Sequence, residues 1–278
     1  MNLEKLIDNI GLTNFLEISW QKKCIVYKKV LEGLSFQLKD FYNIIEFGNI
    51  DFPHLVCLNK NGQVPICEYV DITQKYISSK IIPQKVYNLL DQSCTVRIKN
   101  IDKFNSEINL LKSEIQKIFT TKITINGYLS GNNNQGINLH YDTHDIFVLQ
   151  VTGDKKWQLG DFSKISPCSN YRPDMYESSK LSINNEVTIE AGDILYLPKA
   201  MWHQTATETL SLHLTVGIHS PNIIDIIPSL TDILLNTSKA FREPIEPKIV
   251  NNRVVFKLDV SKHDIVITEM RKALRKMT

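Results

Sequence analysis

Two hydrophobic periods divide this chain. Between Ile101 and Phe119 the apolar residues Ile108, Leu111, Ile115 and Ile118 recur at helical spacing and predict a helix. From about residue 121 the pattern shifts to short runs of β-branched and aromatic residues. Lys122–Ser130, Ile146–Val151, Lys155–Leu159, Glu186–Ile189, Ile194–Leu197 and Ser211–Ile218 read as strands. The loop Gly131–Gly136 and the turns Gly153-Asp154 and Gly192-Asp193 separate several of them. Many short strands broken this way predict a sandwich or barrel-like β core. Upstream, Met1–Ile18 reads as one or two short helices, Lys23–Tyr27 as a strand, and Phe36–Phe47 as a helix with Phe36, Phe41, Ile44 and Ile45 near one face. Thr95–Ile98 reads as a further strand. Downstream of Pro221 the pattern is helical over Ile223–Lys239, then Pro244 and Pro247 intervene, a strand follows over Arg253–Val260, and an amphipathic helix over Asp264–Lys276 ends the chain. The expected organisation is an α/β flanking region over residues 1–115, a β core over 116–220, and a short helical region over 221–278.

Composition narrows the class without naming a function. Hydrophobic residues make up 42% and charged residues 22%, ordinary values for a soluble globular protein. A net charge of +2 gives no support to a nucleic-acid partner. No apolar run is long enough to span a bilayer, and Glu4, Asp8 and Asn9 interrupt the N-terminus where a signal would lie. The five cysteines, Cys24, Cys57, Cys67, Cys94 and Cys168, are scattered and form no CxxC pair. They read as free thiols in a reducing, cytoplasmic setting.

The chemistry centres on His140-Tyr141-Asp142. On extended backbone, residues i and i+2 share a face, so an imidazole and a carboxylate can reach one metal together. With seven histidines in the chain, an HxD alone is weak, and a surface pair is the plain alternative. A second element is the apolar strand within Ala191–Pro198, which delivers His203 near its end. Two histidines and a carboxylate form the facial triad of non-haem iron, leaving open positions for a 2-oxoacid and dioxygen. Lys155 would begin a core strand if Ile146–Val151 and Lys155–Leu159 form a hairpin across Thr152-Gly153-Asp154. An inward ammonium needs an anionic partner; spacing alone favours a solvated turn residue. His144, two beyond Asp142, offers a rival zinc site with His140 and Asp142, and Asp145 is also near. His213 sits in a core strand, where packing and pocket lining both stay open. His54, His219 and His263 carry no such pattern.

The ordered stretches Asn126–Ser130, Gln135-Gly136, His140–Asp142, Phe147–Gln150, Gly153 with Lys155–Trp157, Gly192–Pro198 with Trp202-His203, and Ser211–Gly217 resemble the JmjC-type oxygenases, in particular the bacterial cupin-like and ribosomal-oxygenase branch. The likeness covers about residues 95 to 240, with a fainter echo at Phe15–Val26. It implies a mainly β, double-stranded β-helix (jelly-roll) core. It also implies Fe(II) at His140, Asp142 and His203, and 2-oxoglutarate with its distal carboxylate on Lys155. Asn126 and Tyr128 match positions lining the cosubstrate pocket, with Ser130 and Thr215 as further candidates. Trp157 would share a face with Lys155, for core packing or substrate contact.

Leu139 and Ala200 stand where that family often has Pro and Gly, and the residues after Ser220 are few for a full winged-helix module. The implied reaction is hydroxylation of a C–H in an amino-acid side chain of a protein or peptide, with dioxygen consumed and succinate and carbon dioxide formed. A non-catalytic metal-binding cupin and a non-oxidative cupin isomerase are the alternatives, and a modified tRNA base or small molecule the alternative substrates. Arg271, Lys272, Arg275 and Lys276 read as a solvated basic face. Ile223, Ile226, Ile227, Leu230, Leu234 and Leu235 read as a lid or a homodimer contact.

Overall fold

The computed structural model describes residues 11–31, 33–71, 80–134, 136–163, 166–168, 171, 183–245, 247–250, 253–256 and 263–276. The chain divides into two compact units, Met1–Ser220 and Pro221–Thr278. The first holds helix α1 (Leu12–Ile18), strand β1 (Ile25–Tyr27), α2 (Leu38–Phe47), β2 (Leu55–Asn59), β3 (Gly62–Gln63), β4 (Val70–Asp71), β5 (Lys80–Ile81), α3 (Pro83–Asp91), β6 (Thr95–Ile98) and α4 (Ser106–Phe119). Seven strands follow: β7 (Lys122–Ser130), β8 (Asp145–Thr152), β9 (Asp154–Phe162), β10 (Ile183–Glu190), β11 (Ile194–Leu197), β12 (Met201–Ala206) and β13 (Ser211–His219).

Eight strands form one sheet in the order β1-β11-β8-β13-β7-β6-β2-β3, and β10-β9-β12 form a second. Every ladder in both is antiparallel. This is the expected double-stranded β-helix. The boundary expected near residue 115 is spanned by the β6–β7 ladder, so β2, β3 and β6 extend the core sheet.

Period-2 alternation on β7 and β13 decides which face is which. Ile123, Ile125 and Leu129 of β7, with Leu212, Leu214, Val216 and Ile218 of β13, face the large core beneath α2, α3 and α4. The intervening Asn126, Tyr128, Ser130, Ser211, His213 and Thr215 therefore face the other way, into the cleft between the sheets. A smaller apolar core, including Ile146, Val148, Trp157, Leu159, Leu195 and Leu197, contributes Ile146 and Trp157 to the lining of that cleft. The predicted helix at Ile101–Phe119 is split. Ile101–Lys103 is a 3-10 turn, and Asn105 restarts the chain by accepting a hydrogen bond from Ile108 N at 3.1 Å. Ile108, Leu111 and Ile115 bury the expected face of α4, while Ile118 is only half-buried.

The hairpin expected across Thr152-Gly153-Asp154 does not form. β8 and β9 are consecutive in sequence but lie in different sheets, and the turn carries the chain across the cleft. Gly153 adopts φ +66 there, and a Cβ would lie 2.2 Å from the Leu210 carbonyl oxygen. Gly153→Ala should therefore cost roughly 2–4 kcal/mol, from left-handed backbone strain plus displacement of the Leu210 backbone. A lowered denaturant midpoint at unchanged m-value checks it.

In the second unit, Leu230 and Leu234 of α5 (Ile227–Thr237) pack against Met270 and Ala273 of α6 (His263–Leu274). The face left open as a lid or a dimer contact is therefore partly used inside this unit, while Ile223, Ile224 and Leu235 stay exposed. Strand β14 (Pro247–Val250) pairs with β15 (Arg253–Phe256); the rest of the strand expected to Val260 lies outside the described residues, as do Met1–Ile10 and Gln135. Among the described residues no helix is long and apolar enough to cross a membrane.

Candidate active site

His203 is not delivered by the apolar strand β11, as its position after Pro198 suggested. The chain turns at Lys199-Ala200, crosses to the second sheet, and places His203 in β12. Ala200 takes φ 67 in that turn, a left-handed conformation that glycine adopts more readily than alanine. His140 lies in a short segment that pairs with β12: His140 N donates to His203 O at 3.0 Å, and His203 N to His140 O at 2.8 Å. Ala200 N donates to Asp142 O at 2.8 Å, which ties the same segment two residues on. The three side chains are thus fixed to one backbone ladder.

His140 Nδ1 contacts Asn138 O at 2.7 Å and His203 Nδ1 contacts Met201 O at 2.9 Å, which leaves Nε2 of each ring as the metal-facing nitrogen. His203 Nε2 lies 3.6 Å from Asp142 Oδ2, and one donor atom from each of the three residues lies within 4.8 Å of the others. Among the described residues this is the one such group, so the rival set with His144 is not what the chain builds. His144 instead stacks on His219, ring centroids 4.3 Å apart. Burial lowers the His203 pKa to about 4, with His140 adding to the effect, so the ring is neutral at neutral pH. Burial raises the Asp142 carboxyl, but His140, His144, His203 and His219 outweigh it and hold the group below its ordinary value. Neutral imidazoles and an anionic carboxylate are the states a divalent metal needs.

Further along the same sheet, on β9 beside β12, Lys155 points inward and is 1% exposed. Its ammonium donates to Ser130 Oγ at 2.6 Å, and burial lowers its pKa to about 7. No carboxylate pairs with it among the described residues. Between Lys155 and the triad, the cleft wall is built from Trp157, His213, Tyr128 and Thr215, with Ile146, Ile137, Thr95 and Thr205. Tyr128 and His213, paired across β7 and β13, stack with ring centroids 5.0 Å apart. Trp157 Nε1 and His213 Nδ1 are buried without a partner. A buried ammonium and two unpaired ring nitrogens around one cavity are what an anionic, oxygen-rich ligand would satisfy. The residues fit both a divalent metal and a dicarboxylate beside it.

The structure brings Tyr128, Lys155 and Thr215 together with His213 and Trp157 around one cavity. Asn126 does not line the cavity; its Oδ1 accepts from Asn100 N at 3.0 Å and anchors the turn before α4. Ser130 is fully buried behind Lys155 instead of on the wall. Thr205 was missed although it lies two residues beyond His203 on one strand face, a signal that was present. Thr95 carried no local signal, because its place follows from β6 pairing with β7.

Residues 100–226 match the JmjC domain family. The chain carries a JmjC domain. All three triad residues and Lys155 fall inside the JmjC domain. The chain is 29% identical to the bifunctional lysine-specific demethylase and histidyl-hydroxylase NO66 of Drosophila erecta, over 84% of this chain and 36% of that protein. It is 24% identical to ribosomal oxygenase 1 of Danio rerio, over 86% of this chain and 45% of that protein. The chain therefore spans less than half the length of these curated relatives. In fold, the JmjC domain and its flanks resemble YcfD, a ribosomal oxygenase of Escherichia coli: TM-score 0.60 at 15% identity, covering 96% of this chain and 67% of that one. A structure of YcfD with cobalt and 2-oxoglutarate gives TM-score 0.58 at 15% identity, over 94% and 66% of the two chains.

Proposed function

We propose that this JmjC domain is an Fe(II)- and 2-oxoglutarate-dependent oxygenase that hydroxylates a C–H of an amino-acid side chain in a protein or peptide. The observation that carries the reading is a buried ammonium with no carboxylate partner that lines one pocket with a His-Asp-His group and two unpaired ring nitrogens. A cupin that only binds metal has no use for that ammonium, and neither does an isomerase of a neutral sugar. The naming of relatives as hydroxylases and oxygenases supports the same reading.

His140, Asp142 and His203 would hold the metal on one face and leave the opposite positions open. Bound iron supplies the oxidising chemistry, with 2-oxoglutarate as the co-reductant that becomes succinate and carbon dioxide. Lys155 would pair with the far carboxylate and so fix which end of the cosubstrate meets the metal. Trp157 and His213 would donate to its oxygens, while Ile137 and Ile146 keep water out. The five cysteines are all free, in keeping with a reducing, cytoplasmic setting. A homodimer through the exposed Ile223, Ile224 and Leu235 belongs to the same reading and is tested by sedimentation.

The anaerobic Fe(II) protein should develop a weak visible charge-transfer band on adding 2-oxoglutarate, and should release succinate when air is admitted. Neither signal would leave the metal-binding cupin or the isomerase. Peptides from cells with and without the active enzyme should differ by a gain of about 16 Da on the target, as hydroxylation requires.

A pH dependence follows from Lys155. Its pKa of about 7 in the ligand-free pocket must rise when a carboxylate arrives, because the paired ammonium is favoured. Binding therefore takes up a proton above pH 7. Affinity for 2-oxoglutarate should be level below pH 7 and fall by up to about tenfold per pH unit above it. Calorimetric titration of the Mn(II)-loaded protein in buffers of different ionisation heat checks both the slope and the proton uptake.

A further inference from the structure

Lys155 stands at one end of a buried series of side chains. Its Nζ donates to Ser130 Oγ at 2.6 Å, Ser130 Oγ lies 2.9 Å from Thr95 Oγ1, and Thr95 Oγ1 donates to Asn134 Oδ1 at 3.2 Å. The Asn134 amide in turn donates to the Ser93 carbonyl. Register places Thr95 directly opposite Ser130 across β6 and β7, and Asn134 belongs to the loop between β7 and the His140 segment. Ser130, Lys155, Thr95 and Asn134 are each at most 3% exposed, so bulk water does not replace a missing partner.

The direction of the series follows from counting protons. A carbonyl only accepts, so Asn134 must turn its NH2 toward Ser93 and its oxygen toward Thr95. An amide oxygen also only accepts, so the one hydroxyl proton of Thr95 is committed to Asn134. Thr95 can then only accept from Ser130, whose single proton is committed in turn. What Ser130 has left for Lys155 is a lone pair. The hydroxyl facing the ammonium is therefore an acceptor with its dipole fixed by Thr95 and Asn134, whose own hydrogen bonds run away from Lys155.

We infer that Thr95 and Asn134 are positioning residues: they lock Ser130 as an acceptor and thereby hold the Lys155 ammonium where the distal carboxylate of the cosubstrate meets it. The inference deepens the oxygenase reading and rests on it. Without Thr95 Oγ1, the Ser130 proton loses its acceptor, the hydroxyl is free to rotate, and the ammonium is no longer held in one place. Asn134 acts one step further away and does not line the cavity.

The test is 2-oxoglutarate binding to the Mn(II)-loaded full chain by titration calorimetry, with Mn(II) affinity measured alongside. Thr95→Val is nearly isosteric and should weaken 2-oxoglutarate binding about tenfold, the usual size for loss of a supporting hydrogen bond behind a ligand group. Thr95→Ser keeps the hydroxyl and should stay within about twofold of wild type. Asn134→Ala should weaken binding as Thr95→Val does, and the double variant should be no weaker than either single one, because both break one relay. Mn(II) affinity should not move in any of them. Should Thr95→Val fail to fold, Asn134→Ala carries the same expectation with the pocket wall intact. Wild-type binding in Thr95→Val or Asn134→Ala overturns the relay, and so does equal weakening by Thr95→Ser and Thr95→Val, or additive losses in the double variant. If the wild-type Mn(II) protein itself binds no 2-oxoglutarate, the cosubstrate reading falls first, so the two failures are told apart.

Discussion

Lys155→Met is expected to stabilise the ligand-free protein and, in the same molecule, to abolish 2-oxoglutarate binding. The two effects have one cause. Burial pulls the Lys155 pKa from 10.5 to about 7, which corresponds to about 5 kcal/mol against the charged form. Ser130 Oγ offsets part of what is lost from water, but a hydroxyl is no counter-ion. A methionine of similar length fills the same space with no charge to desolvate. A gain of at least about 2 kcal/mol, or roughly 5 °C in Tm, should follow at neutral pH. The sign also shows in the pH profile. Between pH 7 and 10.5 the unfolded chain holds the Lys155 proton and the folded one does not, so wild-type stability should rise with pH across that window. In Lys155→Met this rise should be missing. Calorimetric binding of 2-oxoglutarate to the Mn(II)-loaded variant should fall by more than about a hundredfold, as removal of a buried charge partner implies. A variant that is less stable than wild type, or that still binds the cosubstrate, would place the ammonium outside the pocket's chemistry.

That trade-off sets the limits of what sequence could show. Strands β7 and β13 were legible from their runs of β-branched and aromatic residues, and their alternate apolar side chains lie in the core. Helix α4 was legible from the helical spacing of its apolar residues, apart from the break at Asn105, where a short side chain caps a new start. Lys155 was not legible from spacing. A lysine beside a Gly-Asp turn normally faces water, and only the likeness to an oxygenase family turned it inward. The assumed hairpin also failed, because residue pattern specifies that β8 and β9 are strands but not which sheet each joins. His203 shows the same gap. Its neighbours predicted one buried strand, while a left-handed Ala200 reverses the chain and hands the histidine to the opposite sheet. Asn126 shares a strand face with Tyr128 yet serves the backbone of Asn100, since alternation assigns a face and not a partner. The relay through Thr95 and Asn134 lay beyond reach altogether, because it depends on residues from three separated segments meeting in one register.

Asp142→Ala is expected to leave the fold and remove the metal. The backbone of Asp142, not its side chain, accepts from Ala200 N, and the paired His140 and His203 amides close the ladder without it. The apo variant should therefore melt within about 2 °C of apo wild type, the range usual for a partly exposed polar truncation. Metal linkage should separate them. A ligand that binds only the folded state at about 100 times its Kd adds about 2.7 kcal/mol, so Mn(II) should raise the wild-type Tm by several degrees. The variant retains two imidazoles whose Nε2 atoms share one cavity, but the one anionic donor of the group is gone. Its Mn(II)-induced shift should vanish, and succinate release from the Fe(II)-loaded protein should drop by more than about a thousandfold. His144→Ala gives the contrast. That ring stacks on His219 and lies outside the three-residue group, so the Mn(II) shift should survive its loss. The opposite result, a shift kept without Asp142 and lost without His144, would move the metal to the sequence-adjacent histidines and away from the pocket that Lys155 lines.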